Sequence, residues 1–327
     1  MLKETEETSP CFCATYVTAM ATYVMAYCFA LNVLLLCRYR QEGLAMITCK
    51  GLCKSYGDKK VLDGIDLDIK SGSIIGLLGP SGAGKTTMIK ILTGQLEAGS
   101  GRVEVFGKDV KTLTGADKKS FGIMMDNFGV YERFTCRDNL KIYADIYGVP
   151  KENIEKILNE VGLGDSIKKT ASTLSKGMKA RLRLARAFIH SPKIIFLDEP
   201  TSGLDPQSMR SIHKMITDKK AEGCTIFLAT HNMEEASKLC DEIYLLNEGK
   251  IVEKGKPDEI CRRYNRLKKI RIHLTDGSDM ELSGGPESAA EISRLLQNGK
   301  LETIHSTEPT LETVFLELTG RGLQEAG

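Results

Sequence analysis

The chain contains no tryptophan, carries almost no net charge, and places none of its cysteines at metal-binding spacing. Lys and Arg number 45 against 43 Asp and Glu, a formal net charge of +2 over 327 residues, so bulk electrostatics does not argue for a nucleic-acid partner. The ten cysteines are scattered. The one tight pair is the C-x-C at Cys11 and Cys13, and two thiols alone make a poor metal site. No internal repeat and no low-complexity segment occurs, which leaves a chain of unique sequence long enough for a full α/β domain and an additional module.

What is present is organised around residues 79–87, GPSGAGKTT, which match G-x-x-x-x-G-K-[ST] at Gly79, Gly84, Lys85 and Thr86. The apolar run Ile74-Ile75-Gly76-Leu77-Leu78 leads in and predicts a buried strand, and Thr87-Met88-Ile89-Lys90-Ile91-Leu92 leads out with a helical pattern. A strand–loop–helix of this kind wraps backbone N–H groups around phosphates, with the positive end of the helix behind them. The phosphate-binding stretch then comprises Gly79, Pro80, Ser81, Gly82, Ala83, Gly84, Lys85, Thr86 and Thr87. Lys85 is placed to reach the β- and γ-phosphates and Thr86 to offer its hydroxyl to Mg²⁺.

Three further stretches belong with this loop. In residues 194–205, IIFLDEPTSGLD, four apolar residues predict a buried strand ending in Asp198 and Glu199. Asp198 fits an oxygen donor toward Mg²⁺, and Glu199 fits a general base for an attacking water. Residues 174–187, LSKGMKARLRLARA, predict a helix capped by Ser175, a second anion-ready N-terminus. Residues 225–231, TIFLATH, predict another buried strand ending in His231, which fits contact with a γ-phosphate or water. Upstream, Ile47–Tyr56 and Val61–Ile69 read as strands, with Tyr56 in a turn where its ring can stack on an adenine. Gly101–Phe106 and Gly122–Met125 are further strand candidates, and residues 135–161 form an inserted helical region broken at Gly148-Val149-Pro150.

Taken together, these elements resemble the nucleotide-binding subunit of an ATP-binding cassette transporter, over residues 47 to 255. Tyr56, GPSGAGKT, LSKGM, FLDEPTSGLD and His231 stand in that family's order. The resemblance implies a P-loop NTPase core with an antiparallel β subdomain and an inserted helical subdomain. It implies ATP and Mg²⁺ as ligands, ATP hydrolysis as the reaction, and reduced, intracellular thiols. It also implies a head-to-tail pair of such domains, most simply two identical copies. In that pair Ser175 and Gly177 of one close over the γ-phosphate bound at Lys85 of the other, with Ser202, Gly203 and Asp205 along the seam. The catalytic set carried over is Glu199, His231 and Lys85. Two departures stand out. Lys176 and Met178 replace residues of the usual L-S-G-G-Q, although Ser175 and Gly177 remain. Asp126 occupies the position of the family's Q-loop glutamine, where it is expected to ligate Mg²⁺ alongside Thr86 and Asp198, with Asn127 as a shifted substitute.

Residues 11–37 carry no charge and are long enough to cross a bilayer as a helix. Arg38 and Arg40 behind them would keep the remainder in the cytoplasm. Two readings stand. One is a membrane anchor. The other, favoured, takes Met46 as the start: Gln41-Glu42-Gly43 is encodable with a ribosome-binding sequence, and Leu44-Ala45 gives its spacer.

Residues 256–327 predict a small α+β accessory domain: strands at 270–274, 280–282 and 301–305, and helices at 289–297 and 309–319. Its basic run, Arg262 to Arg271, reads as a solvated linker or a contact with anionic lipid. PTLETVFLELTGR resembles the tail of ATP-binding subunits of drug, bacteriocin and polysaccharide exporters, whose integral membrane permease is a separate polypeptide. The expectation is an exporter ATPase at the cytoplasmic face of the membrane. The alternative is a soluble cassette ATPase not coupled to transport, and neither a zinc motif nor a second cassette supports it.

Overall fold

The computed structural model describes residues 45–125, 129–265, 269–306 and 309–320. The readings for residues 11–37, Asp126 and Asn127 lie outside them. The described course opens with two long strands, β1 (Ala45–Tyr56) and β2 (Lys59–Lys70), joined by a turn at Gly57-Asp58. Strand β3 (Ile74–Leu78) runs into the phosphate loop and helix α1 (Lys85–Leu92). Strands β4 (Ser100–Val105) and β5 (Lys108–Asp109) return to the first pair, giving an antiparallel sheet of order β2-β1-β4-β5.

After a short helix α2 (Gly115–Lys118) and strand β6 (Phe121–Met124) come three helices: α3 (Cys136–Tyr147), α4 (Glu152–Glu160) and α5 (Lys176–Phe188). Each start has a chemical cause where a capping side chain is present. Thr135 accepts from the Asp138 N–H ahead of α3, and Ser175 accepts from the Met178 N–H at 3.2 Å ahead of α5. Helix α3 stops at Gly148, whose φ of 70° suits a residue without Cβ.

The chain then alternates strand and helix: β7 (Ile194–Asp198), α6 (Pro206–Ala221), β8 (Thr225–Thr230), α7 (Met233–Leu239), β9 (Glu242–Asn247) and β10 (Lys250–Gly255). These build a six-stranded sheet, β10-β9-β3-β8-β7-β6, parallel except for the β9–β10 pair. Every residue of β3, β7 and β8 is buried. Parallel strands covered on both faces favour unbroken apolar runs over alternation, which is why IIGLL, IIFLD and TIFLAT read as they do.

The last elements are α8 (Pro257–Tyr264), β11 (Lys269–Leu274), β12 (Asp279–Ser283), α9 (Pro286–Gln297), β13 (Leu301–Ser306) and α10 (Leu311–Thr319). Strands β12-β11-β13 form their own antiparallel sheet. Of the basic run, Arg262 and Arg263 fall in α8 and Lys269 and Arg271 in β11, while Arg266 and Lys268 lie outside the described residues. Arg263 pairs with Glu253 at 3.0 Å, and Lys269 and Arg271 pair with Glu281 at 2.9 and 3.5 Å. Local helix and strand geometry gives these cations partners across neighbouring elements, which a one-dimensional charge run does not reveal. Helix α10 buries Leu311, Val314 and Phe315 in one apolar cluster with Met233, Ala236 and Ile260 of α7 and α8.

Candidate functional site

The carboxyl ends of β3, β7 and β8 lie side by side: Leu78 pairs with Thr230, and Asp198 with Ala229. Ligands of open α/β sheets bind beyond such ends. Here the strands deliver the phosphate loop, the Asp198-Glu199 pair and the Thr230-His231 pair to one place.

The loop is a backbone construction. At Gly79 a Cβ would stand 2.3 Å from the Leu246 carbonyl oxygen, and at Gly84 it would stand 2.9 Å from the Val61 carbonyl oxygen with φ at 112°. Neither position admits a side chain without moving main chain. The buried Lys85 ammonium donates to the carbonyl oxygens of Gly79 and Pro80, at 2.6 and 3.1 Å, and lies 3.4 Å from Glu199 Oε1. Thr86 donates its hydroxyl to Asp198 Oδ2 at 2.7 Å.

Beside the loop, Glu199 carries φ of 49°, a left-handed conformation that costs a residue with Cβ about 1–3 kcal/mol. Its N–H donates to the Ala229 carbonyl at 2.9 Å, which fastens the turn to β8. His231 donates through Nδ1 to Glu199 Oε2 at 2.8 Å. Lys85, Glu199 and His231 thus form a chain of contacts, cation–carboxylate–imidazole, beside the Thr86–Asp198 pair.

A cavity of about 490 Å³ opens over Lys85, Thr86, Asp198 and Glu199, and His231 stands behind Glu199 without lining the cavity. Of the expected residues, Tyr56, Ser81, Gly82, Gly84, Lys85, Thr86, Thr87, Asp198 and Glu199 line it. Tyr56, the last residue of β1, is half exposed at the rim, with the Lys54 ammonium 5.6 Å from its ring centre. Pro80 and Ala83 line a second cavity of about 360 Å³ instead, shared with Phe315 of α10. Ser175 and Gly177 do not line the first cavity of their own chain. Ser175 is exposed at the head of α5, and Gly177 packs so tightly on α6 that a Cβ would stand 2.2 Å from Ser208 Oγ. Ser202 and Gly203 are exposed, and Asp205 caps α6 by accepting from the Gln207 and Ser208 N–H groups at 3.0 and 2.9 Å. Hydrogen bonds from Ser208 hold the Asp205 carboxyl below the usual carboxylate range.

Lys59, Val61 and Met125 line the cavity, and neither charge nor spacing marks them as lining residues. Behind the Glu199–His231 pair lie the buried Thr201, Thr230 and Glu235, joined by the partly buried His213. Glu235 stands three residues after the helix cap Asn232, so from sequence it reads as the acidic partner of a capping box. Its side chain turns inward to the group instead.

Comparison with known proteins gives the family. A family profile described as ABC transporter matches residues 62–202. The fluoroquinolones export ATP-binding protein of Mycobacterium tuberculosis is 36% identical over 288 residues, covering 86% of this chain and 95% of that protein. A daunorubicin resistance ATP-binding protein of Streptomyces coeruleorubidus is 33% identical, covering 86% and 98%. The Nod factor export ATP-binding protein I of Rhizobium etli is 32% identical, covering 86% and 96%. Among solved structures, an ATP-binding subunit of an ABC transporter superimposes with a TM-score of 0.61 at 26% identity, covering 76% of this chain and 98% of its own. An ATP-binding cassette solved in its ADP conformation gives a TM-score of 0.60 at 26% identity, covering 66% and 92%. The chain belongs to the ABC transporter family, as an ATP-binding, ATP-hydrolysing member with the P-loop NTPase fold. Among the described residues no helix is long and apolar enough to cross a membrane.

Proposed function

We propose that this chain powers an exporter by binding and hydrolysing ATP for a separate integral membrane permease, at the cytoplasmic face of the membrane. The observation that carries the hydrolytic part is the convergence of Lys85, Glu199 and His231 beside the Thr86–Asp198 pair. The chain's relatives, which are export or drug-resistance ATP-binding proteins, support the direction and the separate permease.

In this reading Tyr56 stacks on the adenine, and the N–H groups from Gly79 to Thr87 wrap the phosphates. The Lys85 ammonium exchanges its carbonyl partners for phosphate oxygens. Glu199 accepts the proton of the attacking water as the bond to the γ-phosphorus forms and ADP leaves with the bridging oxygen. His231, oriented through Nδ1, presents Nε2 to the phosphate or the water. Among the described residues no three acidic, histidine or cysteine side chains cluster as a metal site. Thr86 and Asp198 supply hard oxygen donors beside the phosphates, which fits Mg²⁺ held largely by substrate and water. That ion supplies charge neutralisation at the phosphates. Asp126 is assigned to the same ion on sequence grounds alone.

The exposed head of α5 supports a second copy of the chain: Ser175 and Gly177 then act on the nucleotide of the partner, and Ser202, Gly203 and Asp205 follow the seam. The working division is a nucleotide domain at 46–255 and an accessory domain at 256–327. To test the reading, the tagged Glu199→Gln chain is captured from detergent-solubilised membranes of its native cells in ATP. Expected are an ATP-stabilised dimer and an integral membrane protein in stoichiometric amount. A monomer that purifies without any membrane protein would contradict both the pairing and the coupling.

A further inference from the structure

Glu235 is a carboxylate with no exposed side-chain surface, lying close to the reacting groups without lining their cavity. It gathers four elements. Its Oε1 accepts from the Thr201 hydroxyl at 2.8 Å and lies 3.1 Å from His213 Nε2; its Oε2 accepts from the Thr230 hydroxyl at 3.0 Å. Thr201 follows Glu199 by two residues, on the way to Asp205. Thr230 immediately precedes His231. His213 comes from the middle of α6, and Glu235 itself from α7.

The group sets more than stability. The Thr230 oxygen accepts from the Asn232 N–H at 3.0 Å, which fixes the backbone on both sides of His231. The same hydroxyl lies 3.4 Å from Glu199 Oε2, the atom that His231 holds at 2.8 Å. A hydroxyl has one proton to give. Glu235, nearer, takes it, so the Thr230 proton is directed away from Glu199.

We propose that Glu235 is a positioning residue for hydrolysis: through Thr201 and Thr230 it holds the Glu199 turn and the His231 turn in register and keeps the Thr230 proton off Glu199. This rests on the assignment of Glu199 and His231 as the hydrolytic pair. It deepens that assignment by giving the two turns one shared support, so that a shift of one is felt by the other.

The test uses the full chain and three variants, Glu235→Gln, Thr201→Val and Glu199→Gln, with ATP turnover, KM and ADP affinity measured for each. Glu235→Gln keeps the shape and an acceptor for Thr201 but loses the acceptor for Thr230. Its kcat is expected to fall about tenfold, because small misplacement of reacting groups costs rate rather than binding, while KM and ADP affinity stay within about twofold. Thr201→Val is expected to lower kcat about threefold with the same split. A second readout needs no turnover. The chain has five histidines, so the His231 ring resonances are assignable by difference against His231→Gln. They are expected to shift in Glu235→Gln although that residue does not touch the ring. Wild-type kcat and unmoved His231 resonances in Glu235→Gln would overturn the proposal. So would a kcat loss matched by an equal loss of ADP affinity. Wild-type turnover in Glu199→Gln would instead overturn the assignment beneath it.

Discussion

The two sides of the site are made of different materials. The phosphate loop is shaped by backbone: glycines at Gly79 and Gly84 whose missing Cβ atoms leave room for the Leu246 and Val61 carbonyls. The Glu199–His231 side is shaped by side chains: His231 holds Glu199, and Thr201 and Thr230, on the two turns, both donate to Glu235. A backbone cradle binds any phosphate that fits it and tolerates little change. A side-chain network can be altered one bond at a time, so binding and turnover should be separable by mutation in this protein.

The comparison breaks most violently at Gly79→Ala. The added methyl meets a carbonyl oxygen 2.3 Å away on a buried strand. Because that contact is main chain, relief requires moving the loop or β9, and a cost of about 3 kcal/mol or more is expected. Denaturant unfolding should show it, with loss of ADP binding. Thr86→Val comes next. It removes the hydroxyl held by Asp198 and is expected to raise the Mg²⁺ needed for half-maximal hydrolysis about tenfold, with weaker effects on Mg²⁺-free nucleotide binding. Tyr56→Ala should cost about 1–3 kcal/mol of stacking, read as weaker binding of adenine nucleotides and an unchanged affinity for inorganic triphosphate.

The smallest effect sharpens the comparison from outside the cavity. His190 stacks on Tyr147 with ring centres 3.8 Å apart and donates through Nε2 to the Phe121 carbonyl at 2.8 Å, joining α3 to β6. Burial lowers its pKa below the ordinary 6.5. The unfolded chain therefore takes up the proton first as pH falls. The stability tied to the neutral ring is complete above the ordinary imidazole range and is lost as pH drops through it toward the folded value. His190→Gln is expected to flatten the pH dependence of unfolding midpoints below about pH 6.5 without altering ADP affinity at neutral pH.

The backbone side of the site was legible in the sequence because its determinants are local. GPSGAGKTT carries its own strand, glycines and helix within a short window, and IIFLDE carries its own buried strand. The strand assignments at 194–198 and 225–230 follow from apolar runs that a doubly covered parallel sheet requires, whereas β1 lies in the antiparallel sheet and mixes buried with exposed residues. The side-chain half was less legible. Thr201, His213, Thr230 and Glu235 are ordinary residues in sequence, brought together only by the packing of α6 and α7 on β7 and β8. Glu235 also satisfies a helix-capping pattern, which hides its other role. The same limit explains the basic run at 262–271, where partners such as Glu253 and Glu281 come from neighbouring strands. Tyr56 lay between the two cases: its place upstream of the loop was readable, and its position at the cavity rim depends on β1 reaching that far.

The most direct test measures steady-state ATP hydrolysis and ADP affinity side by side in the wild-type chain and in Glu199→Gln, with and without Mg²⁺. The account predicts Mg²⁺-dependent turnover in the wild type, a fall of about 10²-fold or more in the variant, and ADP affinity equal in both within about twofold. Equal turnover in the two proteins, or a loss of ADP binding as large as the loss of rate, would contradict the separation of a binding cradle from a hydrolytic network.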